Sequence, residues 1–256
     1  MNSVVIDCLP DSIERYRSGY AVVAIDVIRA TTTLATAIAA GRRCYVAPSV
    51  EIARARGARL RRPLFVGELG GEMPDGFDLT NSPAALALRA DIDRPMVLVS
   101  SSGTRLLYNA RSCDAAYAAC FRNYEAVAEH VAACHARVAV IGAGSRAEFR
   151  EEDQMCCAWI AGRLIERGYV AEDSNTAAIV ARWRGAPVEA CLMSKSAGYL
   201  KRSGQLDDLD FVLTHINDLD AVFGVDDDEV LRVVSAACPI QTQQTLTELL
   251  PQGAHA

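Results

Sequence analysis

The chain has 256 residues, enough for one large domain or two small ones with a buried core. Hydrophobic residues make up 51% but aromatics only 6%, the balance of an α/β protein packed with Ala, Val and Leu. A net charge of −6, with no basic stripe carrying interleaved aromatics, excludes a nucleic-acid footprint. No basic and then apolar leader opens the chain and no apolar run has membrane-spanning length, so a cytoplasmic protein without a membrane partner is expected. The nine cysteines are scattered and odd in number, with no C-x-x-C pair, and the adjacent Cys156 and Cys157 suit free thiols better than a strained disulfide. The four histidines, His130, His135, His215 and His255, stand at no zinc-ligand spacing from a cysteine.

A short strand is expected at 4–6 and a second at 21–25, where Ala21-Val22-Val23-Ala24-Ile25 is apolar and β-branched. The second run ends on Asp26. Arg29, Thr31, Thr32 and Thr33 follow, and a helix over 32–40 closes at Gly41. A strand that delivers an acid, a base and hydroxyls into the turn before a helix places them at the carboxyl edge of a sheet. Helix-start amides attract anions there. The plain alternative is that Asp26 and a threonine cap the helix while Arg29 pairs with a surface acid. These residues alone leave both readings open.

Strands at 44–46 and 64–66 flank a helix at 49–56. The loop GELGGEMPDGFDLTNSP, from Gly67 to Pro83, then carries Glu68, Glu72, Asp75 and Asp78. A loop this long inside a compact domain is usually functional or disordered, and Phe77 and Leu79 offer anchors against disorder. Its close, Asn81-Ser82-Pro83, signals a helix start. A compact Ω-loop with solvated acids is the alternative.

After a strand at 96–99 comes Ser100-Ser101-Ser102-Gly103-Thr104-Arg105, which opens a helix at 104–109. Small hydroxyls and Gly103 let the backbone approach an anion, or they simply cap the helix. The lysine and spacing of a Walker A loop are absent. A strand at 115–118, a helix at 124–134 and a strand at 137–141 lead into Gly142-Ala143-Gly144. The third glycine of a dinucleotide fingerprint is missing, which argues against NAD. Glu151, Glu152 and Asp153 open a helix at 151–167. They suit either first-turn charges or oxygen ligands for a hard cation such as Mg²⁺. A helix at 172–182 and strands at 189–193 and 211–213 complete the elements.

This alternation predicts an α/β fold with a largely parallel sheet and flanking helices. Residues 1–180 form the core, 181–238 a C-terminal sub-domain or cap packed closely on it, and 239–256 a flexible tail. A nucleophilic triad finds no support, because G-x-S-x-G is absent and no histidine sits in any of the four loops. A phospho-aspartyl route through Asp26 lacks the acid expected two residues on, where Ile28 stands.

The four loops, in this order, resemble those of the 2-phosphosulfolactate phosphatase (ComB-type) family. The resemblance rests on Asp26 to Thr33, Gly67-Glu68, Gly76 to Pro83, Ser102 to Arg105, Asn123 to Ala128, Ala143-Gly144 with Glu152-Asp153, Cys157 to Gly162, and Ser196 to Leu200 with Asp207-Asp208-Leu209. It implies the family's own α/β arrangement. It also implies a Mg²⁺-dependent hydrolase acting on a phosphate ester of a sulfonated hydroxy acid, releasing sulfolactate and phosphate on the way to coenzyme M. On that reading Asp26, Arg29 and Glu68 are catalytic. Substrate is held by Arg29, Thr31, Thr32, Thr33, Asn81, Ser82, Ser102, Gly103 and Thr104, and metal by ligands drawn from Asp26, Glu68, Asp78, Glu152 and Asp153. The partner is a small phosphorylated acid, and a homodimer is the commonest default.

Two positions depart from the family pattern. It usually has Thr-Thr-Asn-Gly-Thr at 100–104, where this chain has Ser100-Ser101-Ser102-Gly103-Thr104, and Gly-Asn-Ser-Pro at 80–83, where this chain has Thr80 first. Losing the amide at 102 removes a donor and an acceptor. Two other readings stay open: the same fold acting on a different phosphorylated hydroxy acid, and an anion- or metabolite-binding protein without catalysis.

Overall fold

The computed structural model describes residues 1–233, so the expected tail at 239–256, with Cys238 and His255, lies outside the described residues. Ten strands form one sheet: β1 (Ser3–Cys8), β2 (Ala21–Ile25), β3 (Cys44–Ala47), β4 (Leu64–Gly67), β5 (Met96–Val99), β6 (Ala115–Ala119), β7 (Arg137–Gly142), β8 (Val170–Ala171), β9 (Phe223–Asp226) and β10 (Glu229–Arg232). Their spatial order is β4-β5-β3-β10-β9-β6-β2-β7-β1-β8. The sheet is mostly parallel and flanked by helices, as the alternation predicts.

Two parallel blocks, β4-β5-β3 and β6-β2-β7-β1-β8, are joined by the β9–β10 hairpin, which pairs antiparallel with β3 on one side and β6 on the other. Three antiparallel steps set the blocks in opposite senses. In a flat sheet their carboxyl edges would lie at opposite ends. Strand twist of about 20–25° per step turns β2 by roughly 100–125° relative to β5 over the five intervening steps. The ends of β2 and β5 thereby come together.

All of β2 is buried. Val22 and Ala24 join one core with Leu34, Ile38, Leu98, Leu106, Leu107 and Phe223. Ala21, Val23 and Ile25 join the other, with Val127, Val131, Met155, Ile160 and Leu164. The strand period of two thus divides one run between two layers, each fully buried Val or Ile contributing about 1.5–3 kcal/mol. On the first face lie α1 (Ala30–Ala39) and α4 (Gly103–Ala110), and on the second α5 (Tyr124–Cys134) and α6 (Glu151–Glu166). The remaining helices are α2 (Val50–Gly57), α3 (Pro83–Ala87), α7 (Ser174–Trp183), α8 (Lys195–Arg202) and α9 (Leu206–Thr214). Phe77 is buried with Tyr45, Val97 and Val99, so it does anchor the Gly67–Pro83 loop.

Two expected strands are not strands. Residues 189–193 lie in a 3-10 turn, Val188–Met193, and 211–213 lie inside α9. In α9 the buried apolar positions are Leu209 and Val212, three apart, which is the helical spacing. The β9–β10 hairpin was not foreseen. Its turn falls in the acidic run Asp226-Asp227-Asp228-Glu229, where Asp227 takes φ 52°, a conformation that aspartate tolerates. The eight cysteines among the described residues are free thiols. No helix there is long and apolar enough to cross a membrane.

Candidate active site

Asp26 follows β2 and is 8% exposed. Its Oδ1 accepts the Ala30 N–H at 3.2 Å, which caps the start of α1. Thr31 locks the same turn: its hydroxyl donates to the Asp26 carbonyl at 2.7 Å and accepts the Asp26 N–H at 3.0 Å. The Thr32 hydroxyl donates to the Val27 carbonyl at 2.7 Å. Oδ2 of Asp26 has no hydrogen-bond partner among the described residues. It faces Gly103, the first residue of α4, so closely that a Cβ there would lie 2.1 Å from Oδ2. Only glycine permits this approach between the end of β2 and the helix that follows β5.

The α4 turn is braced internally. The Ser100 N–H donates to Thr104 Oγ1 at 2.8 Å and the Thr104 N–H to Ser100 Oγ at 2.9 Å. Ser102 is the N-cap residue, yet its side chain makes no capping bond. Glu68 ties this turn to the long loop: it accepts the Ser101 N–H at 2.8 Å, the Ser101 hydroxyl at 3.0 Å and the Gly71 N–H at 2.7 Å. The Tyr199 hydroxyl of α8 donates to the Gly71 carbonyl at 2.9 Å and closes the loop from outside.

From α6, which follows β7 beside β2, Asp153 accepts the Val27 N–H at 2.8 Å and the Gly144 N–H at 3.1 Å. Glu152 is 1% exposed. Burial pushes the Asp26 carboxyl up to about 7; the Ala30 N–H pulls it down, Glu68 and Glu152 push it up further, and Arg29 pulls it down. Burial likewise holds Asp153 well above the usual carboxylate range, with Asp26 and Glu152 adding to the effect. Glu152 is also raised by burial, partly offset by the Ser196 and Ser194 hydroxyls.

Arg29 follows a cis Ile28–Arg29 peptide bond and is 5% exposed. Its Nη1 donates to Asp208 Oδ2 at 2.5 Å and to the Gln205 side-chain oxygen. The Nε–Nη2 edge has no partner among the described residues. Asp208 also accepts the Ser82 hydroxyl at 2.6 Å and the Ala84 N–H at 3.1 Å.

Five buried side-chain atoms lack a hydrogen-bond partner among the described residues, and four of them lie on these loops or beside them: Thr33 Oγ1, Asn81 Oδ1, Arg150 Nε and Glu152 Oε2. Buried polar groups are normally satisfied, so each of these open atoms is a candidate contact for a guest. Contacts link Asp26 to Gly103, Glu68 to Ser101 and Asp153 to the turn after β2, while Arg29, Glu68 and Glu152 act on Asp26 through their charge. Asp78 is held apart, accepting the Phe65 N–H at 2.9 Å and pairing with Arg94 at 3.0 Å. Thr31, Thr32 and Ser82 spend their hydroxyls on the fold. Asp208 and Gln205 were not anticipated as site residues. Reading 206–214 as a helix with acids in its first turn would have brought Asp208 forward.

Among the described residues, no three His, Cys, Asp or Glu side chains converge in a metal-holding arrangement. Both oxygens of Asp153 and both of Glu68 already accept N–H or O–H donors. Asp26 Oδ2 and Glu152 Oε2 remain open. Open carboxylate oxygens are the donor type Mg²⁺ takes, alongside waters and phosphate oxygens.

Buried carboxylates, a half-engaged arginine and a glycine-opened helix start are of the kind that suits a phosphorylated guest. The sequence profile of the 2-phosphosulpholactate phosphatase family matches residues 7–227. A probable 2-phosphosulfolactate phosphatase of Synechococcus sp. (strain CC9605) is 36% identical over 187 residues, covering 70% of this chain and 77% of the relative. Relatives of the same description from Synechococcus sp. (strain WH7803) and Symbiobacterium thermophilum are 33% and 32% identical over 207 residues. These alignments cover 78% and 76% of this chain, and 84% and 86% of the relatives. The chain is a phosphoric monoester hydrolase. Within that class it belongs to the 2-phosphosulpholactate phosphatase family.

Proposed function

We propose that this protein hydrolyses 2-phosphosulfolactate to sulfolactate and phosphate, with Mg²⁺ as cofactor. The carrying observation is that Asp26 Oδ2, Glu152 Oε2 and the Nε–Nη2 edge of Arg29 are unpartnered among the described residues, with Asp26 packed against Gly103 at the start of α4 and close enough to Glu152 and Arg29 for their charges to shift its pKa. The names of the relatives support the substrate.

In this reading Asp26 and Glu152 hold the cation through their open oxygens. A Mg²⁺ held there would supply charge to offset the phosphate and to acidify a water. Arg29 clamps the phosphate with its free edge, whose paired N–H groups match two phosphate oxygens. The start of α4 adds backbone donors where negative charge develops. Asp153 and Glu68 act through backbone bonds, fixing the turns that carry Asp26 and Ser101. The dense β2–β7 layer beneath Asp26 keeps water away from its far side.

The test is phosphate release by the purified full chain from 2-phosphosulfolactate and from phosphorylated hydroxy acids that lack the sulfonate, with Mg²⁺ and after chelation. We expect chelator-sensitive turnover that is fastest on the sulfonated ester. Asp26→Asn and Arg29→Ala should each reduce it by at least about 10²-fold while circular dichroism stays native. Undiminished turnover after chelation removes Mg²⁺ from the reading. Faster turnover of a carboxylate-only ester favours the other substrate class. Stabilisation by sulfolactate without any turnover favours binding alone.

A further inference from the structure

We infer that Asp208 is a positioning residue that sets the phosphate-facing edge of Arg29; the inference rests on Arg29 being the phosphate clamp proposed above. The Arg29 and Asp208 side chains are each 4% exposed and lie 2.5 Å apart, Nη1 to Oδ2. A guanidinium pinned at one nitrogen is fixed in its plane, because its five donors form a rigid fork. Pinning at Nη1 leaves the Nε–Nη2 edge free of partners among the described residues. Gln205, three residues earlier at the N-cap of α9, holds the same nitrogen.

The second oxygen of Asp208 gives this pair its reference frame. Oδ1 accepts the Ser82 hydroxyl at 2.6 Å and the Ala84 N–H at 3.1 Å. Ser82 is itself the N-cap of α3, accepting the Ala85 N–H at 3.1 Å. One carboxylate therefore registers the α1 turn, the end of the Gly67–Pro83 loop and α9 against each other. A bare structural ion pair would need only one of these contacts. Asp208 does not reach the reacting atoms; it acts through Arg29.

The experiment measures the affinity for inorganic phosphate by calorimetry, together with kcat and KM on 2-phosphosulfolactate. The proteins are the wild type, Asp208→Asn, Gln205→Ala, Arg29→Ala and Arg29→Ala/Asp208→Asn. Asparagine keeps an acceptor for Ser82 and Ala84 but loses the charge that orients Arg29. Misplacing a clamp by about 1 Å costs on the order of 10²-fold, so Asp208→Asn should lose that much in kcat/KM and weaken phosphate binding at least about tenfold. Gln205→Ala should move both in the same direction by less. In the Arg29→Ala background, Asp208→Asn should change phosphate affinity less than about twofold, since positioning has nothing left to act upon.

Equal losses with and without Arg29 overturn the inference while leaving the clamp intact. So does a folded Asp208→Asn with wild-type phosphate affinity. If Asp208→Asn does not fold, unchanged phosphate affinity in Gln205→Ala overturns it. Full activity in Arg29→Ala overturns the clamp reading itself, and this inference with it.

Discussion

Replacing Gly103 by alanine perturbs the close contact between Asp26, at the end of β2, and the start of α4. The new Cβ would meet Asp26 Oδ2 at 2.1 Å, the Ala30 Cβ at 2.7 Å and the Asp26 Cβ at 2.8 Å. Non-bonded heavy atoms in ordinary contact stay about 3.4 Å or more apart, and Asp26 cannot retreat because the Ala30 N–H and the β2 strand hold it. The start of α4 must therefore move by about 1 Å. Overpacking of this kind costs about 1–3 kcal/mol, against up to about 1 kcal/mol regained by removing a helical glycine, a net loss near 1–2 kcal/mol. For a chain of this size that lowers Tm by roughly 2–8 °C. Because the displaced residues carry the site, kcat/KM should fall on the order of 10²-fold. Gly162→Ala, inside α6, is the control. Its nearest atom is Val180 Cγ1 at 3.8 Å, an ordinary contact, so the same substitution should raise Tm slightly and leave activity unchanged. Thermal melts and steady-state kinetics on both variants decide it. A Gly103→Ala protein as stable and active as the Gly162→Ala protein would refute the close apposition of Asp26 and α4.

Asp26→Asn also tests the electrostatics of the buried acids. Asp26 titrates at 3.8 in an unfolded chain and at about 7 in the fold, so the native state holds the extra proton between those values and loses its advantage as pH rises through them. At about 1.4 kcal/mol per pH unit, this is a cost of at most about 4 kcal/mol at pH 8 without cation. The Tm of Asp26→Asn relative to wild type should therefore become more favourable from pH 5 to pH 8 in chelator, and a pH-independent difference would count against the shift. Glu68→Gln replaces one of two accepting oxygens by a donor facing the N–H groups of Ser101 and Gly71. It should cost about 1–3 kcal/mol and slow turnover, as melts and kinetics at saturating substrate will show.

The elements most legible in the sequence are those whose local pattern and final environment agree. β2 and β5 were expected with their observed ends because unbroken Val, Ile and Leu runs are buried on both faces of a parallel sheet. α5 was likewise expected in full. The hairpin was hidden because each of its strands has four residues and places one side chain deep in the core, Phe223 in β9 and Val230 in β10. Its acidic turn reads locally as solvated surface. α9 looked like a strand because Phe211-Val212-Leu213 is continuously apolar, whereas only Val212 of the three is fully buried.

The site shows a different limit. Helix cap and anion site stood as alternatives for Asp26, but a carboxylate has two oxygens and the fold uses them separately: Oδ1 caps α1 while Oδ2 stays open toward α4. The cap is what fixes the direction of the free oxygen, so the structural role prepares the chemical one. Arg29 repeats the logic, with Nη1 bound to the fold and the opposite edge free, but its partner Asp208 lies 179 residues away. No local pattern around Arg29 encodes that distance. A buried cation must find a counter-charge, however, and a sequence reading that places Arg29 inside the protein thereby demands an acid from a distant element. The first turn of α9 supplies it.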